Sequence, residues 1–263
     1  MINNPRSFKI INIFYLILLG HLGFWLLAPR IPYPRLIPDT IDVSGLIELQ
    51  NFDLFISALF NSLLVAVLVI AITLTFAVPL ALLLSKHQTK VGKVISGLLY
   101  IPVLAPVLLP AFGLYEIFIR LDIIGTPLSV AIAQSTILFP YMLKPIENYL
   151  SNKGFYLENV AADLGESKGR TFLKITLPGL ISPILFGSFL CVIGSFNDYI
   201  IAFLIGDLNV STLSVTLYPL IQSDNRITSI ITILFYVGPL ILLALYSSKL
   251  KLIGKNGNLY ART

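Results

Sequence analysis

The sequence predicts an all-α polytopic membrane protein with six transmembrane helices, on three observations. Hydrophobic residues fill 56% of the 263 positions and charged residues only 12%. The mean hydropathy is +0.88, far above that of an ordinary soluble domain. Six runs meet or approach the roughly 20 apolar residues a helix needs to cross a hydrocarbon core of about 30 Å. Their Leu, Ile, Val and Phe lack period-2 alternation, which disfavours a β-barrel.

The spans fall at about 9–29, 55–85, 94–119, 123–146, 178–206 and 227–248, within a single transmembrane domain covering residues 1–263. Arg6 and Lys9 precede the first span, which continues to Ala28 and Pro29 without a small-x-small cleavage pattern. It is therefore expected to be an uncleaved anchor, not a signal peptide. Pro29, Pro32, Pro34 and Pro38 favour extended structure in the connection that follows. That connection reads as a spacer, or as a contact for an external partner. Leu54 to Ser85 carries no charge and forms the second span.

The third span holds Pro102, Pro106 and Pro110 at four-residue intervals. Each removes a backbone donor, so the carbonyls of Leu98, Pro102 and Pro106 lose helical partners on one face. Stranded backbone at membrane depth is tolerated only against protein or a water-filled cavity. The span is thus either a kinked helix lining a pathway, or a helix begun at Pro102 whose kinks pack against neighbours. Ile123 to Leu143 forms the fourth span, and Ile175 to Asn197 opens the fifth. Cys191, the only cysteine, lies in the fifth and reads as a small apolar filler.

Fourteen of the 18 Lys and Arg residues lie on the side of the two termini, the exceptions being Arg30, Arg35, Arg120 and Arg226. The positive-inside rule then places both termini in the cytoplasm. The net charge of +5 follows from this asymmetry, and no nucleic-acid partner is indicated. His21 and His87 stand in different segments and form no ligand cluster. No Ser-His-Asp arrangement is evident, and Gly165 to Thr171 imitates a phosphate loop with spacing one residue short and its Lys misplaced. Inverted repeats with paired charges at mid-depth, expected of a stand-alone secondary transporter, are not seen. Nor do nucleophile, base or metal ligands converge as a membrane enzyme would require.

The most patterned polar stretch is the loop at about 150–177, between the fourth and fifth spans. Leu157, Val160, Ala161 and Leu164 follow i, i+3, i+4, i+7 spacing, one apolar face of a helix, with Glu158, Asn159 and Asp163 on other faces. Gly165 suits the left-handed position after that helix. A second helical stretch is expected from Ser167 to Leu177, with Pro178 in the first turn of the next span. Periodicity alone allows a helix lying on anionic lipid or one docked in a groove of another protein.

Glu158-Asn-Val-Ala-Ala-Asp-Leu-Gly165 followed nine residues later by Ile175-Thr-Leu-Pro178 resembles the EAA loop of binding-protein-dependent ABC importer permeases of type I. Ala161 matches the second alanine, Gly165 the glycine, and Ile175, Leu177 and Pro178 the closing residues. Asn159 replaces the usual Glu and Val160 the first Ala, and Glu158 stands one residue early. Ala162 to Ser167, Gly194 to Ile200 and Ser211 to Val215 are similar to the second permease subunit of spermidine/putrescine importers. Iron(III), thiamine and phosphonate permeases have related stretches.

The resemblance implies a multi-pass subunit of a bacterial inner membrane that pairs with a second homologous permease, in a homo- or heterodimer. It implies two cytoplasmic ABC ATPase subunits, which bind the ATP, and an external solute-binding protein. The chain itself is implied to be no enzyme and to hold no cofactor. The loop would dock in a cleft of the ATPase and switch the cavity as ATP is consumed. A charge at Ala161 (Ala161→Asp) is then expected to abolish ATPase association.

Asp198 interrupts the fifth apolar run and Glu116 closes the third. Intramembrane acids are costly and so are functional candidates. At 1.5 Å per residue each lies roughly 30 Å from the cytoplasmic start of its span, near the outer boundary, where charge is ordinary. Facing a pathway, they would favour a small cationic solute of the polyamine type. Asn197 and Tyr199 are further candidates for the path, or packing and interfacial residues.

Overall fold

The computed structural model describes residues 20, 52–86, 90–207 and 209–223. The first and sixth predicted spans (residue 20 apart), the proline-rich connection and both termini lie outside the described residues. The chain divides into two compact units, 1–55 with 216–244 and 56–215 with 245–263. Of the first, only residue 20 and the helical turns 52–55 and 216–223 are described. Residues 56–215 of the second carry every candidate site residue. Among the described residues every regular element is helical.

Helix α1 runs from Phe52 to Lys86. Its buried positions are mostly small, at Ala58, Ser62, Ala66, Thr73, Ala77, Ala81 and Ser85, while Phe60, Leu63, Val67, Phe76 and Leu83 are exposed. That is the reverse of a soluble helix and suits a lipid surround, where small residues let helices approach and large ones meet acyl chains. Two ties fix α1 near its ends. Asn61 Nδ2 donates to the carbonyl of Ser211 at 3.2 Å and Ser62 Oγ accepts the Leu213 N–H at 2.7 Å. Ser85 Oγ donates to the carbonyl of Glu147 at 3.3 Å.

The predicted third span is broken rather than kinked. Helices α2 (Lys90–Leu98) and α3 (Ile101–Leu104) are followed by α4 (Leu108–Arg120), and the chain bends by 92° between α3 and α4. Ala105 caps α3 with φ −75° and ψ 146°, the extended conformation that a following proline imposes. Pro102 and Pro110 both sit in helical first turns, where the missing N–H costs nothing. Pro106 lies in the break, and its carbonyl is recovered by the Leu109 N–H at 2.9 Å.

In the region of the predicted fourth span the helix, α5, runs from Pro127 to Tyr149 and does not include residues 123–126. Thr126 sets its start: its Oγ1 accepts the Ser129 N–H at 3.1 Å while Ser129 Oγ accepts the Thr126 N–H at 3.3 Å, a reciprocal cap with Pro127 in the first turn. Just before it, Gly125 takes φ +73°, and its N–H donates to the Ile205 carbonyl at 2.9 Å. Helix α5 is extensively enclosed, burying Val130, Gln134, Leu138, Met142 and Ile146 among others. Its neighbours shield it from lipid, which is how it can carry Gln134, Ser135 and Glu147.

A π-helical turn (Leu150–Gly154) leads into α6 (Phe155–Asp163). Then α7 (Lys168–Thr171), a second π-helical turn (Phe172–Thr176) and α8 (Leu177–Asn197) form one uninterrupted helical run. The second stretch of the loop is therefore the base of the fifth span, not a separate helix ending at Leu177. The fifth span itself stops at Asn197 and resumes as α9 (Ile200–Gly206), where one continuous span to 206 is expected from hydropathy. Helix α10 is Leu213–Ser223. By length and composition two described helices could cross a membrane, or three if the bent pair α2/α3 and α4 is one span.

Helix α8 packs along α5 through Leu180, Pro183, Gly187, Cys191 and Ser195, all buried. A Cβ on Gly187 would lie 3.1 Å from the Met142 Cα and 3.3 Å from the Tyr141 carbonyl, so the backbones themselves are close. Cys191 sits where α1, α5 and α8 meet, its thiol 4.0 Å from Thr73 Oγ1 and 3.8 Å from the Leu138 carbonyl. Gly187→Val is expected to force α5 and α8 apart at a cost of about 1–3 kcal/mol, read as a lower thermal midpoint in detergent. Gly97→Ala, whose new Cβ meets nothing within 4 Å, is expected to leave the midpoint unchanged or raise it. Equal midpoints for Gly187→Val and the parent would refute the close approach.

Candidate functional site

The loop resembling the coupling element forms an elbow of two arms, α6 and the run that begins at α7. Helix α6 closes at Gly165, whose φ is +81°. The Gly165 N–H donates to the Ala162 carbonyl at 2.9 Å and the Glu166 N–H to the Ala161 carbonyl at 3.0 Å. This pair of bonds terminates a helix through a left-handed glycine. Across the elbow, Thr176 Oγ1 donates to Glu158 Oε1 at 2.5 Å. Lys174 pairs with Glu166 at 3.5 Å on the surface.

The predicted apolar face of α6 splits in two. Ala161 turns into the elbow and is 6% exposed, whereas Leu164 is 82% exposed and Leu157 and Val160 also lie open. Tyr156, absent from the sequence-based set, is 73% exposed beside them. Only its place next to the periodic stripe could have signalled it. Asn159 and Asp163 are exposed, as are Leu177 and Pro178 at the elbow's far end, and Ile175 is half-buried. The resulting surface is an apolar strip rimmed by polar groups on a helix already anchored from behind. Because Ala161 faces inward, Ala161→Asp would place a charge inside the elbow rather than on its outer surface.

The second group of candidates lies at the other end of α8. Asp198 ends that helix with ψ 111°. Its Oδ1 accepts the Ile201 N–H at 3.2 Å and its Oδ2 accepts Gln134 Nε2 at 2.9 Å. Ser195 Oγ donates to Gln134 Oε1 at 2.6 Å, and Ser214 Oγ donates to the Asp198 carbonyl at 2.8 Å. The carboxylate thus serves the backbone freed by the helix break and ties it to α5. A cavity of about 400 Å³ opens here, lined by Asp198, Asn197, Tyr199 and Gln134 together with apolar groups such as Val107 and Leu138.

Asn197 donates to the Ile193 carbonyl at 2.8 Å, and Tyr199 stacks on Phe203 at 5.4 Å. Glu116 is not among the residues lining the cavity. It pairs with Arg120 at 2.7 Å on the exposed face of α4. Gln134 is the residue that sequence reasoning missed, a polar side chain in an apolar run whose partners are 61 and 64 residues away. Among the described residues no three His, Cys, Asp or Glu side chains could share a metal ion.

Residues 74–250 match the family described as binding-protein-dependent transport system inner membrane component. The chain is 28% identical over 134 residues to the molybdenum transport system permease protein ModB of Mycobacterium tuberculosis, covering 46% of this chain and 51% of that protein. It is 26% identical over 170 residues to the spermidine/putrescine transport system permease protein PotB of Escherichia coli, covering 58% of this chain and 62% of PotB. The chain thus matches only about half the length of these curated relatives. Among solved structures it shares its fold with a bacterial ABC transporter involved in the import of the acidic polysaccharide alginate. The TM-score is 0.65 and the identity 17%, with 94% of this chain and 99% of that chain covered. The loop spacing, the all-helical fold and a match over most of its length place this chain in the family of binding-protein-dependent transport system inner membrane components.

Proposed function

We propose that this chain is a permease subunit of an ATP-driven ABC importer, forming half of a translocation pathway and coupled to cytoplasmic ATPases through the elbow at 150–177. The observation that carries the reading is the exposed strip of Tyr156, Leu157, Val160 and Leu164 on a helix packed from behind. Exposed apolar side chains at helical spacing, rimmed by polar ones, suit a groove on a soluble partner. The partners in this reading are two ABC ATPases, a second homologous permease and an external solute-binding protein. Both chain termini face the cytoplasm, and ATP chemistry belongs to the ATPases.

For the cargo we favour a small cation of the polyamine type. Among the described residues Asp198 is the one carboxylate lining the cavity. The relatives are named for molybdenum and for spermidine and putrescine, so their names do not choose between solutes.

Val160→Asp and Leu164→Asp are expected to weaken co-purification with the ATPase at least about 30-fold, the effect of losing a hot spot worth roughly 2 kcal/mol. Membrane insertion should be unchanged, as judged by alkali-resistant membrane association. Undiminished co-purification of both variants would remove the docking claim. Asp198→Asn preserves shape and the cap on Ile201. It is expected to lower uptake of radiolabelled spermidine at least about tenfold, the lower end of the roughly 1.5–3 kcal/mol of a bond to a charged group, without releasing the ATPase. Equal uptake rates would reject the cation reading.

A further inference from the structure

The elbow contains an internal connection that the docking role does not require. Helix α6 stands between two π-helical turns, Leu150–Gly154 and Phe172–Thr176. Such turns have one residue more per hydrogen-bonded ring than an α-helix, are rarely extended and frequently mark functional positions. A push on α6 could be absorbed in either turn before it reached the span. One side-chain bond bypasses the second turn. Glu158, in the first half of α6, accepts the hydroxyl of Thr176, the last residue before α8 begins, 18 residues further along the chain.

Three features set this bond apart from an incidental surface contact. Thr176 is 1% exposed, so its hydroxyl has no water to turn to. The 2.5 Å separation lies in the short range of a hydroxyl donating to a carboxylate, roughly twice as strong as a neutral pair. Among the described residues it is the one side-chain hydrogen bond between α6 and the other arm. The Lys174 to Glu166 pair leaves its lysine 70% exposed and so constrains little. Asn159, next in sequence, is exposed, whereas Glu158 is half-buried against the other arm.

We propose that Glu158 is a positioning residue. Its bond to Thr176 latches the docking helix to the base of the fifth span, so that α6 and α8 move as one body. The proposal rests on the importer reading above, and it assigns Glu158 to the inside of this chain rather than to the ATPase interface.

The experiment uses the full complex with its ATPase in lipid nanodiscs. Asn197→Cys reports at the far end of α8 in a Cys191→Ala background. The maleimide labelling rate is compared without nucleotide and after ATP–vanadate trapping. The reporter complex is expected to change its rate by about fivefold or more, the lower range of coupling between sites. Glu158→Ala and Thr176→Val should keep the ATPase bound and hydrolysing ATP while that change falls below about twofold. Glu158→Gln, whose amide oxygen still accepts the Thr176 hydroxyl, should restore most of it, which a purely structural defect would not allow. An unaltered response in Glu158→Ala and Thr176→Val, or none in the reporter complex, would overturn the latch. Loss of the ATPase from Glu158→Ala but not from Thr176→Val would overturn it too, by placing the carboxylate at the interface. Absence of the ATPase from every complex, the unsubstituted chain included, would instead overturn the importer reading.

Discussion

Every backbone amide and carbonyl at membrane depth must find a partner within the protein, because hydrocarbon offers none. This constraint makes the chain helical, and it also dictates how the chain breaks. At Ala105 to Val107 the break occurs beside a proline and the Pro106 carbonyl is recovered by the next turn. Where α8 stops, Asp198 supplies the missing acceptor to the Ile201 N–H and is itself held by Gln134. Both interruptions meet at one place, since Val107 and Asp198 line the same cavity. A space within the spans is therefore a product of the two points at which helices could not continue.

Packing follows from the same surroundings. With lipid as apolar as leucine, burying large side chains gains little, and contact between helices depends on how closely backbones approach. Gly187 opposite Met142 and the small buried residues of α1 are the result. The enclosed helix α5 can then carry polar groups that a lipid-facing helix could not. Gln134 bridges Ser195 and Asp198 and so fixes the register of α5 against the end of α8.

The sequence disclosed the class of fold and the loop more fully than the boundaries of the spans. Hydropathy sums over windows and does not register a single extended residue, so Ala105 passes unnoticed, and Asp198 reads as a charge within a continuous span and not as the point where its helix stops. The Thr126 cap was readable in principle, yet Ile123 and Ile124 extended the apolar run past it. In the loop, helical spacing found Leu157, Val160, Ala161 and Leu164 together. A stripe of that width does not say which of its members meets the rest of the chain, and Ala161 alone turned inward. Glu158 stood one place away from the familiar carboxylate, and its partner Thr176 is non-local, so no local pattern could pair them.

Helix α1 has 35 residues and is about 52 Å long at 1.5 Å per residue, well beyond a hydrocarbon thickness near 30 Å. Its ties at Asn61 and Ser85 are about 36 Å apart along the axis. The rod is thus tied by polar side chains near both ends, and its middle packs at Thr73 beside Cys191. It behaves as a ruler. In a thinner membrane the rod would have to lean, carrying the segment at Ser211 and the carbonyl of Glu147 with it. Bilayer thickness would thereby set the stance of the elbow that begins only three residues beyond Glu147.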